Sequence, residues 1–515
     1  MTGTAQNNKR IAKNTLVLYI RMLFTMFITL FTTRITLQAL GVEDLGIYNV
    51  VGGVVVIFDF VSSSLTNATQ RYLNIAMGQN NILLAKQYFS QSLLLHLIFS
   101  AIILFLGETI GLWFVQTQLE IPIEKYQAVF WVYQCSIITV IISLLRIPYN
   151  SAIIAHEQMS VFAYLGIIES LLKLVIAYVI VYYTFGDKLI LYAILMLVLP
   201  FLLLFCYYKY CIQHYGECKF KYYWDKKTIY EMIRFISYNS YGCAAWSIGI
   251  KGLDILLNIF FGPVVNGAWA LAQTVNGAVI RFINNIFTAV NPQIIKSYAN
   301  HDYSYMMTLA NKTTKFTFFF ILLIILPIIL NAEYILQIWL KDVPKYTVTL
   351  TQLSLIEAAF LILSNTLWTV SYGTGKIKNI QVYGRTITLL NLPISYITLK
   401  IYPYYYLPIC ITIITHFFYW LYIVYDVNKI IKFGLINYSK EVCIPIISVM
   451  LISFCGLIPL SKIDWNNPIA KLICTTTIIL IYSIIVTYLF GTTKSERKVL
   501  YNYLQKIKNQ IYKRQ

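Results

Sequence analysis

Charged residues stand inside long apolar runs of this sequence: Arg21, Arg34, Asp59, Lys251, Asp254, Arg281 and Glu357. A charge in a segment of bilayer length is costly unless it pairs or faces water, so each one marks a candidate site. The cations Arg21, Arg34, Lys251 and Arg281 would recognise an anion. The carboxylates Asp59, Asp254 and Glu357 would balance those cations or take up a small coupling ion. Lys251 and Asp254 stand at i,i+3 spacing and can neutralise each other, and Glu169 and Lys173 at i,i+4 read as a local ion pair. Glu357 has no local partner in the sequence. Arg21 and Arg34 also lie near opposite ends of one apolar run, where each can snorkel to an interface.

The elements that carry these residues must be membrane-crossing helices. Of 515 residues, 58% are hydrophobic and only 12% charged, and the mean hydropathy is +0.67. One soluble core stops growing near about 250–300 residues, so this much apolar surface needs a bilayer. Mostly apolar runs of bilayer-spanning length recur from end to end. Breaks at Gly, Pro, Asn and charges divide them into about fourteen spans: 14–39, 46–67, 88–115, 126–148, 158–184, 188–208, 232–261, 264–290, 314–339, 347–370, 379–399, 404–425, 440–460 and 466–490. Continuous Ile/Leu/Phe runs exclude the alternating ten-residue strands of a β-barrel.

The formal charge of +19 reflects topology and not nucleic-acid binding. Lys and Arg fall in the short connections, about four times as many on the side of the N terminus as on the other. The outer set comprises Lys125, Lys188, Lys341, Lys345, Lys400, Lys462 and Lys471. Both termini are therefore expected in the cytoplasm. The basic start (Lys9, Arg10, Lys13) leads into a full span with no small-residue cleavage site. The nine cysteines show neither a disulfide framework nor metal-ligand spacing. No Walker-type loop or H-E-x-x-H motif is present, and no connection is long enough to house a soluble catalytic domain. No cofactor is expected.

An internal repeat organises the spans. "ALGVEDLGIYNVVGG" (39–53) parallels "FFGPVVNGAWALAQT" (260–274), pairing Gly41 with Gly262, Gly46 with Gly267 and Tyr48 with Trp269 at a constant offset of 221. "NSAIIAHEQMSVFAY" (150–164) more loosely parallels "VSYGTGKIKNIQVYG" (370–384). Six spans separate the copies, so the halves share one orientation and a pseudo-two-fold axis along the membrane normal is expected. The predicted partition is an N-terminal lobe (1–210), an inter-lobe linker (211–230), a C-terminal lobe (231–432), two further helices (433–490) and a basic tail (491–515). By depth, Arg21, Asp59 and Arg281 form an inner tier, and Arg34, Lys251 and Asp254 an outer one.

Residues 13–73, "KNTLVLYIRMLFTMFITLFTTRITLQALGVEDLGIYNVVGGVVVIFDFVSSSLTNATQRYL", resemble the start of bacterial Wzx-type polysaccharide flippases, a branch of the multidrug/oligosaccharidyl-lipid/polysaccharide exporter superfamily. The basic start, the L-G-x-x-D-x-G-x-Y-N-V turn and the polar end of span 2 carry the resemblance. Chain length and two six-span halves plus two added spans agree with it. It implies a two-lobed inner-membrane transporter that moves an undecaprenyl-diphosphate-linked oligosaccharide unit to the periplasmic leaflet by alternating access. Arg21, Arg34, Lys251 and Arg281 would then line a cationic cavity, and Asp59, Asp254 and Glu357 would balance charge or couple to an H+ or Na+ gradient. Membrane lipid and, in a polysaccharide pathway, a polymerase and a chain-length regulator are the expected partners. A cation-coupled multidrug antiporter and a peptidoglycan-precursor flippase of the same superfamily stay open as alternatives. A membrane polymerase or ligase would need a large outer loop, and the longest outer connections run to only about ten residues.

Overall fold

The structure, a computed structural model, describes residues 2–56, 59–117, 123–223, 225–340, 343–461 and 468–498. Lys341, Lys462 and the tail from 499 onward lie outside this set. Among the described residues the regular elements are all helical. Eleven helices among them are long and apolar enough to cross a membrane, as expected of an all-α polytopic protein. Three more predicted spans are helical but polar or broken. They are Asp59–Gly78 with its "SSSLTNATQ" run, the part of Lys226–Ala299 beyond Gly262, and the succession Ile380–Gly384, Arg385–Leu389 and Asn391–Ile401. Large apolar side chains such as Phe27, Phe105, Phe201, Ile259 and Ile481 stand exposed, as lipid-facing residues must.

Helix starts are fixed by side-chain caps that satisfy otherwise orphaned amides. Asn81 accepts from the Leu84 amide (3.0 Å), Asp187 from Leu189 (2.7 Å) and Asp225 from Thr228 (3.2 Å). The two glycines that anchor the sequence repeat share one unusual backbone. Gly41 (φ 80, ψ 172) interrupts Thr2–Val56, and Gly262 (φ 75, ψ −170) interrupts Lys226–Ala299. This region of φ/ψ space is essentially restricted to glycine. No atom lies within 4 Å of where either Cβ would stand, so conformation and not crowding demands glycine there. Asn80 (φ 49) and His301 (φ 59), again 221 apart, end their helices in left-handed conformations. The repeat is therefore written in the backbone as well as the sequence.

Contacts divide the chain into two compact units, 1–244 with 288–302 and 372–381, and 245–287 with 303–371 and 382–515. In the first unit Thr2–Val56 lies along Met159–Tyr182, and Tyr126–Ala155 along Lys188–His214. Its core includes Leu40, Leu73, Phe89, Tyr149 and Ile153. In the second unit Leu253, Leu257, Trp269, Leu350 and Ile409 form a core. Ile444–Ser461 and Pro468–Val486 pack on Tyr303–Leu330. There the buried Lys315 reaches Glu496 at 2.7 Å, and Gly491 leaves room for the Phe319 ring.

Candidate functional site

In the first unit three cations gather around one carboxylate. Arg21 lies along Met159–Tyr182 because Gly166 leaves space for it: a Cβ at 166 would stand 3.3 Å from the Arg21 Nε. Its guanidinium covers the Phe162 ring, 4.3 Å from the centroid, and Glu169 and Tyr207 are its electrostatic partners. Glu169 accepts from Lys173 at 2.8 Å, one turn along the same helix, and from Arg146 of Tyr126–Ala155 at 3.3 Å. The Arg146 guanidinium also lies 5.6 Å from the Tyr207 ring. The Arg146, Glu169 and Lys173 side chains are 24%, 28% and 40% exposed, so the cluster is part-wet. One carboxylate cannot neutralise three cations, and the surplus favours an incoming anion.

The second unit reverses this balance. Glu357 on Thr347–Thr374 and His416 on Leu407–Ile431 line a cavity of about 100 Å³, with 3.7 Å between carboxylate and ring nitrogen. His416 stacks on Trp246 (5.7 Å, 24°), and Arg385 is held between the rings of Trp246 and Tyr419. Gly384 permits this, since a Cβ there would stand 2.9 Å from Tyr419. Asn276 and Asn391 also line the cavity. Each commits its amide NH2 elsewhere, Asn276 to Gln273 (3.4 Å) and Asn391 to Thr412 (3.2 Å). Glu357 Oε2, Asn276 Oδ1, Asn391 Oδ1 and His416 Nδ1 are left buried without a hydrogen-bond partner. Three orphaned acceptor oxygens and an imidazole nitrogen around a space of a few water volumes form a place for a proton or a small cation.

The other predicted residues sit apart from these clusters. Lys251 and Asp254 pair at 3.2 Å as their spacing predicts, and Asp254 also accepts from the Trp269 indole at 2.9 Å. The Lys251 side chain stays 78% exposed. Arg34 and Arg281 are exposed and make no ion pair among the described residues. Asp59 opens a described helix, but its side chain lies outside the described set. Arg21 and Arg34 belong to the first unit and Lys251 and Arg281 to the second. Neither Arg146 nor His416 stands among the candidates that the sequence offered. The signal for Arg146 was its place inside an apolar run that continues past Pro148.

No protein-family model matches this chain, and no curated protein does. Solved structures do. An outward-facing multidrug resistance MATE family transporter of the MOP superfamily aligns with a TM-score of 0.70 at 15% identity, over 82% of this chain and 96% of that one. A MOP superfamily transporter from Pyrococcus furiosus, described as having a binding pocket of reversed polarity, aligns with a TM-score of 0.68 at 15% identity, over 82% and 96%. A mutant of the Vibrio cholerae MATE transporter VcmN aligns with a TM-score of 0.69 at 15% identity, over 84% and 99%. The chain has the MATE-like transporter fold, and it is a multi-pass membrane protein.

Proposed function

We propose that this protein exports a lipid-linked anion, an oligosaccharide unit on undecaprenyl diphosphate, by alternating access across a bacterial inner membrane, with both termini in the cytoplasm. The observation that carries this reading is the surplus of positive charge where Arg21, Arg146 and Lys173 meet Glu169. A diphosphate headgroup is the part of such a substrate that most needs help in crossing hydrocarbon, and guanidinium forks supply it. Arg34 and Arg281, exposed and without ion pairs among the described residues, extend the same offer. The acceptor-lined cavity at Glu357 would take the driving ion, H+ or Na+.

A second reading, a cation-coupled multidrug antiporter, draws its support from the fold neighbours, several of which are multidrug or MATE transporters. One set of strains separates the two. An O-unit flippase null strain carrying this gene should regain surface polysaccharide, with lipid-linked intermediates leaving the inner leaflet. Arg146→Ala and Arg21→Ala should abolish that rescue at unchanged membrane abundance, and the Arg→Lys variants should retain part of it. Normal polysaccharide from both alanine variants would end the cationic reading. Gain of resistance to cationic drugs without rescue would establish the antiporter.

A further inference from the structure

The first unit holds another cavity, of about 500 Å³, that neither the Glu169 cluster nor the Glu357 site uses. Its wall combines the end of Asp59–Gly78, the first turns of Lys226–Ala299 and the loop after Thr347–Thr374. Arg71, Arg234, Lys376 and Lys378 line it, against the single carboxylate of Glu231. On the positive-inside count all these segments lie on the cytoplasmic side.

Arg71 is the fixed point of this cavity. It is buried, only 9% exposed, and makes no ion pair among the described residues. Its Nε donates to the Tyr372 carbonyl at 2.6 Å. The guanidinium packs against two rings that themselves meet edge to face, 4.8 Å from the Tyr72 centroid and 5.0 Å from that of Phe235. The backbone at Gly375 is shaped around it: a Cβ there would stand 2.2 Å from Nη2, and φ is +76. A guanidinium has five N–H donors, so several remain after these contacts. A buried cation without a counter-charge is costly to keep, yet here its orientation is set from three sides. That combination describes a preorganised donor waiting for an anion.

We propose that this cavity binds a phosphate-bearing group, with Arg71 as the fixed fork and Arg234, Lys376 and Lys378 as the exposed counter-charges. The assignment stands on this geometry and does not depend on which substrate the protein transports. Two sources can present such a group from the cytoplasm: the headgroup of a diphosphate lipid in the inner leaflet, or a soluble phosphate. The test uses the full chain in nanodiscs of neutral lipid. One arm titrates inorganic pyrophosphate by calorimetry; the other adds farnesyl diphosphate, with farnesol as its phosphate-free control. The double variant Lys376→Gln/Lys378→Gln should weaken pyrophosphate binding about tenfold, and Arg71→Gln should weaken it at least as much, the scale of a lost charge-assisted contact. Farnesyl diphosphate binding at least about tenfold tighter than pyrophosphate would identify the lipid as the source. Equal affinity would identify the soluble ligand. Should Arg71→Gln fail to purify as a monodisperse protein, the exposed lysine pair decides alone. Absence of saturable binding by either probe, or unchanged affinity in the lysine double variant, would overturn the proposal.

Discussion

Glu169 and Glu357 are both carboxylates inside membrane spans, and their surroundings are opposites. Glu169 accepts from Lys173 and Arg146 and lies in the field of Arg21, so its charge is more than matched. Among the described residues Glu357 has no cation within ion-pair distance except His416 at 3.7 Å, a group that is charged only when protonated. Among the groups lining its cavity the other unpartnered oxygens are Asn276 Oδ1 and Asn391 Oδ1, while Arg385, outside that lining, holds Nε and Nη1 without a partner. An excess of donors suits an anionic passenger, and an excess of acceptors suits a proton or a cation. The identity of an intramembrane charge thus says less than the sign of what surrounds it.

The same Glu→Gln substitution made at each position can break this comparison. Glu357→Gln keeps the shape but removes the ionisable oxygen, so transport should no longer respond to an ion gradient. Gradient-driven accumulation is expected to fall by about 5–150-fold, the reach of a coupling free energy of about 1–3 kcal/mol. Transport in proteoliposomes, with and without an imposed H+ or Na+ gradient, reads it directly. If the variant keeps the full response, Glu357 is not the coupling group.

Stability sharpens the contrast, because the two substitutions should differ in sign. Glu169→Gln leaves Arg146 and Lys173 without their counter-charge in a part-buried place, a loss of about 1–3 kcal/mol at this degree of exposure. Glu357→Gln removes a carboxylate that no fixed cation compensates, so it should leave the thermal midpoint unchanged or raise it. Equal losses in both variants, measured side by side in one detergent, would erase the distinction.

How far this site was legible in the sequence follows from which contacts are local. Lys251 with Asp254 and Lys173 with Glu169 were readable because helical spacing alone brings them together. The Gly41 and Gly262 hinges were readable because a glycine-only backbone leaves an invariant residue type at a fixed offset. Arg146 fell only two residues from the end of the predicted span 126–148, where it resembled an interfacial charge. The helix instead runs through Pro148 to Ala155, setting Arg146 well inside it. His416 and Glu357 share no local spacing, as their helices meet only in the tertiary fold. Arg71 depends on Tyr372 and Gly375, some 300 residues on. No periodicity encodes such a contact.

Glu217 supplies the mildest test and lies outside the spans, in the 211–230 connection. It is buried and accepts a hydrogen bond from His156, whose ring stacks on Tyr215 at 4.0 Å. Burial alone would push its carboxyl up, but the His156 and backbone hydrogen bonds outweigh that and hold it below the ordinary 4.5. A carboxyl lowered by folding contributes stability above its unfolded value, and that contribution fades as pH falls through the folded one. Glu217→Gln should therefore cost stability at neutral pH and converge with the native protein in acid below about pH 4.5. Thermal midpoints of both proteins across that range measure it. A gap that persists unchanged into acid would mean that the contact acts through packing alone, and that a donor-saturated carboxylate such as Glu169 need not owe its stability to charge.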